Sequence, residues 1–178
     1  ADRGLLFTNA HAPSPKCAPS RAAILTGKRA STTGLYSNGH WWRPSFPNVV
    51  TLPHYFKQNG YHVAGGGKVH HHTPGFNPPD QWHEYFDLIA DNELIKGYLA
   101  KQVGKRSYLS DMPRHRKGSL DWGAMQVDDM EMGDGHTVEW ASEFLSKKHD
   151  KPFFLAVGLF QPHLPFYAPK KYFDQLPL

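Results

Sequence analysis

The sequence predicts an α/β domain with a largely parallel sheet flanked by helices, and three observations carry that expectation. Residues 153–159 form a continuous apolar run after Pro152, the pattern of a strand covered on both faces. Shorter apolar stretches at residues 4–12 and 61–64 alternate with helix-like segments. Each of the three runs is followed by side chains able to do chemistry, and strand ends are where α/β sheets bind ligands.

The chain has 178 residues, enough for one domain with a substantial core. It is 39% hydrophobic and 20% charged, and no apolar run approaches the length of a membrane span. The formal charge of +4 weakly favours anionic partners, but the basic residues are scattered and form no block suited to nucleic acid. Neither nucleic acid nor membrane is therefore an expected partner. Fifteen prolines, sixteen glycines and twelve histidines point to long polar loops on a rigid scaffold.

In chain order, the strand expected at residues 4–12 takes Leu5, Leu6 and Phe7 as its apolar part and delivers the loop before Cys17. A short helix follows. Pro19 suits its first turn, Ala22, Ala23, Ile24 and Leu25 propagate it, and Gly27 closes it. Cys17, the only cysteine, cannot form an internal disulfide, so its value lies in packing or in reactivity. It stands at a helix N-terminus, where backbone N–H groups favour an anion, and Arg21 lies one turn on. The bland alternative is a free cysteine used as a small apolar residue.

Residues 28–48 read as irregular, and Tyr36, Trp41 and Trp42 suit either a sugar-stacking rim or a cover over the core. Thr51, Pro53 and Gly60 bracket a helix over residues 52–59. The strand at 61–64 then leads into Gly65, Gly66 and Gly67, which let backbone approach a ligand, and presents Lys68 and His70, His71 and His72. Three adjacent histidines point to alternate faces of an extended segment, which argues against zinc.

Residues 74–117 read as loop-rich, with Trp82, Tyr85 and Phe86 packing and 96–116 largely polar. Asp128, Asp129, Glu131 and Asp134 form an acidic cluster that lacks the pattern of an EF-hand. Carboxylates gathered before a helix are the preferred reading. That helix is expected at 137–148, with Val138, Ala141, Phe144 and Leu145 inward. Beyond the apolar strand, His163 stands between Pro162 and Pro165; imidazole is suited to donate a proton near neutral pH.

Three motifs, C-x-P-S-R-x-x-x-L-T-G at 17–27, the G-K of Gly67 and Lys68 followed by histidine, and P-H-x-P at 162–165, resemble those of the type I sulfatases. The resemblance implies an alkaline-phosphatase-like fold and hydrolysis of a sulfate ester, on a sulfated small molecule or carbohydrate. It implies a formylglycine made from Cys17 by a maturation enzyme, and a Ca2+ ion to which residue 17, as formylglycine, is one ligand. Arg21 and Lys68 would hold the formylglycine, and Lys68 and His163 would bind the sulfate. His163 would protonate the leaving alcohol, and His71 would assist the diol, with His70 as the alternative; the spacing of Lys68 and His71 is similar to that in the iduronate-2-sulfatase subgroup. The remaining calcium ligands are expected outside this chain. The chain is thus expected to be the N-terminal part of a catalytic domain, without its first strand and C-terminal portion, with little activity alone. A periplasmic, secreted or lysosome-like location follows from the resemblance, although no signal peptide is visible. A phosphate or phosphonate monoester hydrolase, or a non-catalytic carbohydrate-binding relative, would carry many of the same residues.

Overall fold

The computed structural model describes residues 3–87, 122–164 and 166–176. The residues at 96–116 read as polar lie outside them, as do Asp121 and Pro165.

Helix α1, Cys17–Thr26, closes on Gly27, whose left-handed backbone lets its N–H reach the Ala23 carbonyl at 2.9 Å. Its small apolar side chains, Ala18 and Ala22, pack with Leu35, Trp42 and Phe76. The region expected to be irregular holds two single-turn helices, α2 (Ala30–Thr33) and α3 (Trp42–Ser45). Of its aromatic residues, Trp42 is core and donates its indole N–H to the Phe76 carbonyl at 3.0 Å, whereas Tyr36 and Trp41 are exposed. Helix α4, Leu52–Gln58, begins where expected, with the Thr51 hydroxyl accepting from the His54 N–H at 3.4 Å.

Strand β1, His62–Gly67, lies at the centre of a three-stranded parallel sheet, between β2 (Glu84–Phe86) and β4 (Phe153–Gly158). A second parallel pair joins β3 (Trp122–Met125) to β5 (Phe166–Pro169). Helix α5, Gly133–Ser146, packs on β1 and β4, and a single turn, α6 (Lys170–Phe173), packs on the second pair. The architecture is α/β, a parallel sheet flanked by helices.

Four expectations are corrected. Residues 4–12 form no strand; no described strand lies beside them to pair their backbone, and Leu5, Leu6 and Phe7 are more than 70% exposed. Strand β1 runs on through the three glycines rather than ending before them, since all three pair with β4, and aromatic rings of Trp82 and Trp140 occupy the places where side chains of Gly65 and Gly66 would stand. Strand β4 is not covered on both faces: Phe153 and Val157 are about two-fifths exposed. Helix α5 buries Thr137, Ala141 and Phe144 but leaves Val138 and Leu145 exposed, so its inward stripe is rotated from the one expected.

The ends of β1 and β4 meet unusually closely. Gly67 pairs with Gly158, and a Cβ on Gly67 would stand 2.2 Å from the Gly158 carbonyl oxygen. A Cβ on Gly158 would stand 2.2 Å from the Lys68 carbonyl carbon. Gly67 also has φ of 70°, a region costly for any residue with a side chain. Gly67→Ala is accordingly expected to destabilise the fold by about 3 kcal/mol, combining left-handed backbone cost with overpacking. Urea unfolding should show a lower midpoint at unchanged slope; an unchanged midpoint would mean that the strands do not depend on this approach.

Candidate active site

The site lies where α1, the segment after β1 and the segment after β4 converge. Arg21 joins the first two: its guanidinium donates to the Lys68 carbonyl and, at 3.1 Å, to the Val69 carbonyl. The Lys68 N–H donates to the Gly158 carbonyl at 2.6 Å, which ties the second element to the third. Cys17 opens α1, half-buried, with the Ala18 N–H beside it already bonded to the Asn38 side chain at 3.0 Å.

Lys68 is the unusual residue. It is only 3% exposed and forms no ion pair with a carboxylate among the described residues. Its ammonium rests instead over the Phe160 ring, 4.2 Å from the centroid. Burial lowers its pKa, the neighbouring Cys17 sulfur opposes that shift, Arg21 adds to it and Asp134 opposes it. Arg21 is likewise lowered by burial and supported by Cys17 and Tyr85. A buried lysine and a half-buried arginine thus face residue 17 with little negative charge among the described residues to balance them.

The three histidines after Lys68 have separate places. His70 is walled in: its ring stacks on Trp42 at 6.0 Å, and its Nε2 accepts from the Gln81 side-chain amide at 2.6 Å. Burial pushes its pKa down to about 3. His71 is also buried, but it lies within electrostatic reach of Lys68, Arg21 and His163. Its Nδ1 accepts from the Thr73 backbone N–H at 3.3 Å, so the neutral ring carries its proton on Nε2. Burial, followed by repulsion from a proton on His72 and from the Lys68 ammonium, lowers its pKa to about 4. His72 is exposed and bridges the other elements, its ring 4.3 Å from that of His71 and 6.1 Å from that of His163.

His163 is half-buried on the loop after β4. Its Nδ1 donates to the Leu164 carbonyl at 2.6 Å, and its backbone N–H donates to the Phe160 carbonyl at 3.1 Å. With Nδ1 committed, Nε2 is the atom at which this ring can exchange a proton. A cleft of about 660 Å³ opens beside the histidines, lined in part by His71, His72, Asn77, Trp82 and Tyr85.

The acidic cluster dissolves into unrelated tasks. Asp128 and Glu131 cap a short turn reciprocally, and Asp129 bonds the Lys171 ammonium and the Tyr172 hydroxyl at 2.6 and 3.0 Å. Asp134 alone reaches the site, its two carboxylate oxygens accepting from the Phe160 and Gln161 N–H groups at 2.6 and 2.9 Å. Asp134, Phe160 and His72 are site residues that sequence reasoning did not single out. The position of Phe160 directly after an apolar strand was the only available signal, and it reads equally well as core.

A family model described as Sulfatase matches residues 1–176. A Formosa agariphila protein named "Sulfatase" is 36% identical over 197 residues, spanning 100% of this chain and 36% of that protein. Human iduronate 2-sulfatase is 34% identical over 191 residues, spanning 100% of this chain and 32% of the human protein. The chain therefore spans about a third of the length of these curated relatives. The crystal structure of Ps i-CgsB in complex with k-i-k-neocarrahexaose is similar in fold, with a TM-score of 0.50 at 21% identity, over 93% of this chain and 39% of that one.

His70 generates a pH prediction whose sign is fixed by its burial. The unfolded chain binds a proton at this ring below about pH 6.5, whereas the folded chain excludes it until about pH 3. The stability from this residue is complete above pH 6.5 and is lost as pH falls toward 3. His70→Gln should flatten the dependence of unfolding free energy on pH between 6 and 4 by up to about 1.4 kcal/mol per pH unit. Urea titrations at four pH values would check it, and equal slopes in the two proteins would refute it.

Proposed function

This chain belongs to the sulfatase family, and from that premise we propose that the protein hydrolyses a sulfate ester at residue 17, converted from Cys17 to formylglycine. One observation carries the reading. Lys68, buried, and Arg21, half-buried, are cations within electrostatic reach of Cys17, and neither forms an ion pair with a carboxylate among the described residues, an arrangement that a bound anion completes.

When present, the hydrated aldehyde supplies one hydroxyl that attacks sulfur and a second whose ionisation later releases sulfate. The chain's own residues do the rest. Arg21 and Lys68 hold negative charge at residue 17, and their backbone ties keep them in place before substrate arrives. His71, neutral and carrying its proton on Nε2, donates a hydrogen bond to the hydroxyl or to a sulfate oxygen. His163 delivers a proton from Nε2 to the ester oxygen as the S–O bond breaks, so that the departing group leaves as an alcohol. Over a full turnover one water and one sulfate ester give one alcohol, one sulfate and one proton.

A Ca2+ ion belongs to this reading through the family, but the described residues do not compose its shell. Among them no group of three or more His, Cys, Asp or Glu side chains converges, and calcium takes six to eight oxygens. Residue 17, as formylglycine, would contribute to such a shell together with oxygen ligands from outside the described residues.

The substrate class proposed is a sulfated carbohydrate. The sugar acid in the name of the human relative supports it, as do the exposed rings of Tyr36 and Trp41 in the loop between α2 and α3. A formylglycine-generating enzyme is the implied maturation partner, and a secreted, periplasmic or lysosome-like location is the proposed one. No helix among the described residues is long and apolar enough to cross a membrane.

The test is made on full-length protein co-produced with a maturation enzyme. Peptide mass spectrometry across residues 15–21 should show a loss of roughly 18 Da at Cys17, the mark of an activated group in place of a thiol. Cys17→Ala should remove turnover of sulfate monoesters while leaving the protein folded. An intact thiol under maturing conditions, or faster turnover of the matched phosphate ester, would defeat the proposal.

A further inference from the structure

We propose that Asp134 is a positioning residue for leaving-group protonation, its carboxylate setting the loop from which His163 acts. This inference rests on the reading of His163 as the proton donor and extends it to a residue on a different element.

The observation is a paired hydrogen bond. Asp134 lies in the first turn of α5, and its two oxygens accept separately from consecutive backbone N–H groups, Phe160 at 2.6 Å and Gln161 at 2.9 Å. Those amides lie just beyond the end of β4, where no described strand partner takes them. A carboxylate suits the task because it is acceptor-only and offers one oxygen to each amide. An asparagine has one accepting oxygen, and its amine group would oppose the second N–H. A glutamate is one methylene longer and would push the loop outward.

The clamp acts on the residue that links the two proposed working groups. The Phe160 carbonyl accepts from the His163 backbone N–H at 3.1 Å, and the two rings lie 4.7 Å apart. The face of the same phenyl ring carries the Lys68 ammonium. Fixing the backbone of Phe160 therefore fixes the height of His163 above the sheet edge and the floor on which Lys68 rests. Misplacing a proton donor by a fraction of an ångström costs rate at the step that uses the proton.

That link gives a signature which a purely structural role lacks. An ester whose leaving group is already a good anion, such as 4-nitrophenyl sulfate, needs little help from His163, whereas an alkyl or sugar sulfate needs it fully. In the full-length, formylglycine-bearing enzyme, Asp134→Asn is expected to lower kcat about thirtyfold on an alkyl sulfate and less than about threefold on 4-nitrophenyl sulfate, within the range of general acid catalysis. Asp134→Glu should show the same bias to a smaller degree. His163→Ala, as reference, should show it more strongly than either.

The ratio between the two esters is internal to each variant, so it does not depend on how much of the protein is folded. A loss that falls equally on both esters in Asp134→Asn, complete loss on both included, overturns the role assigned to Asp134 when His163→Ala still discriminates. If His163→Ala itself fails to discriminate, the reading of His163 as proton donor falls, and the role of Asp134 falls with it.

Discussion

The close approach of β1 and β4 at Gly67 and Gly158 is the constraint on which the site depends. The two strands run parallel and in register to their last residues, and only there do they come near enough for the Lys68 N–H to reach the Gly158 carbonyl. Beyond that bond the two segments stay in contact, one carrying Lys68 to His72 and the other Phe160 to His163. Arg21 fastens the third element to the same point through the carbonyls of Lys68 and Val69. The site is thus tied together through backbone groups, with the Arg21 guanidinium spent on one of those ties and the Lys68 ammonium left free of them.

The consequence shows in Lys68. Burying an ammonium costs several kcal/mol even after relaxation, while the face of a phenyl ring returns about 0.5 to 2 kcal/mol. The Phe160 contact therefore offsets only part of the cost. Negative charge at residue 17 and the carboxylate of Asp134 both favour the charged form, but neither forms an ion pair with it. A fold would ordinarily replace such a lysine with an apolar residue. Its presence beside the half-buried Arg21 suits a site preorganised for an anion, since the charges are already oriented when the anion enters.

The elements legible in the sequence were those specified locally. Helix α1 follows from Pro19, the alanines and Gly27, and α4 from Thr51 and Pro53, because caps and first-turn residues act within a few positions. Strand β4 was legible as a run, but its exposure depends on what lies beside it. Strands β2 and β3 have three and four residues, too few for a period to appear, and exist through pairing with distant partners. The apolar segment at 5–7 shows the reverse case, strand-like composition with no described partner strand. Among the carboxylates, nothing local separates Asp134 from Asp128 or Asp129. Their differing fates are decided by the loop at 160–161, the turn at 131 and the residues at 171–172. Similarly, the different surroundings of His70 and His71 come from Trp42 and Gln81, neither of which is near them in sequence.

The histidines also show why such a site changes its proton balance when it is filled. The pKa values of His71 and His72 are lowered, first by partial desolvation and then by positive neighbours, with Lys68 and Arg21 contributing to both. A sulfate monoester placed against those cations acts in the opposite direction, since negative charge favours the protonated form of a nearby imidazole. Without such an anion the imidazoles stay uncharged beside Lys68 and Arg21, which limits their mutual repulsion. The same anion that compensates Lys68 and Arg21 then makes it easier for the adjoining rings to hold a proton. On the proposed reading, charge compensation and proton supply become parts of one binding event, because Lys68, His71, His72 and Arg21 all lie within electrostatic reach of one another.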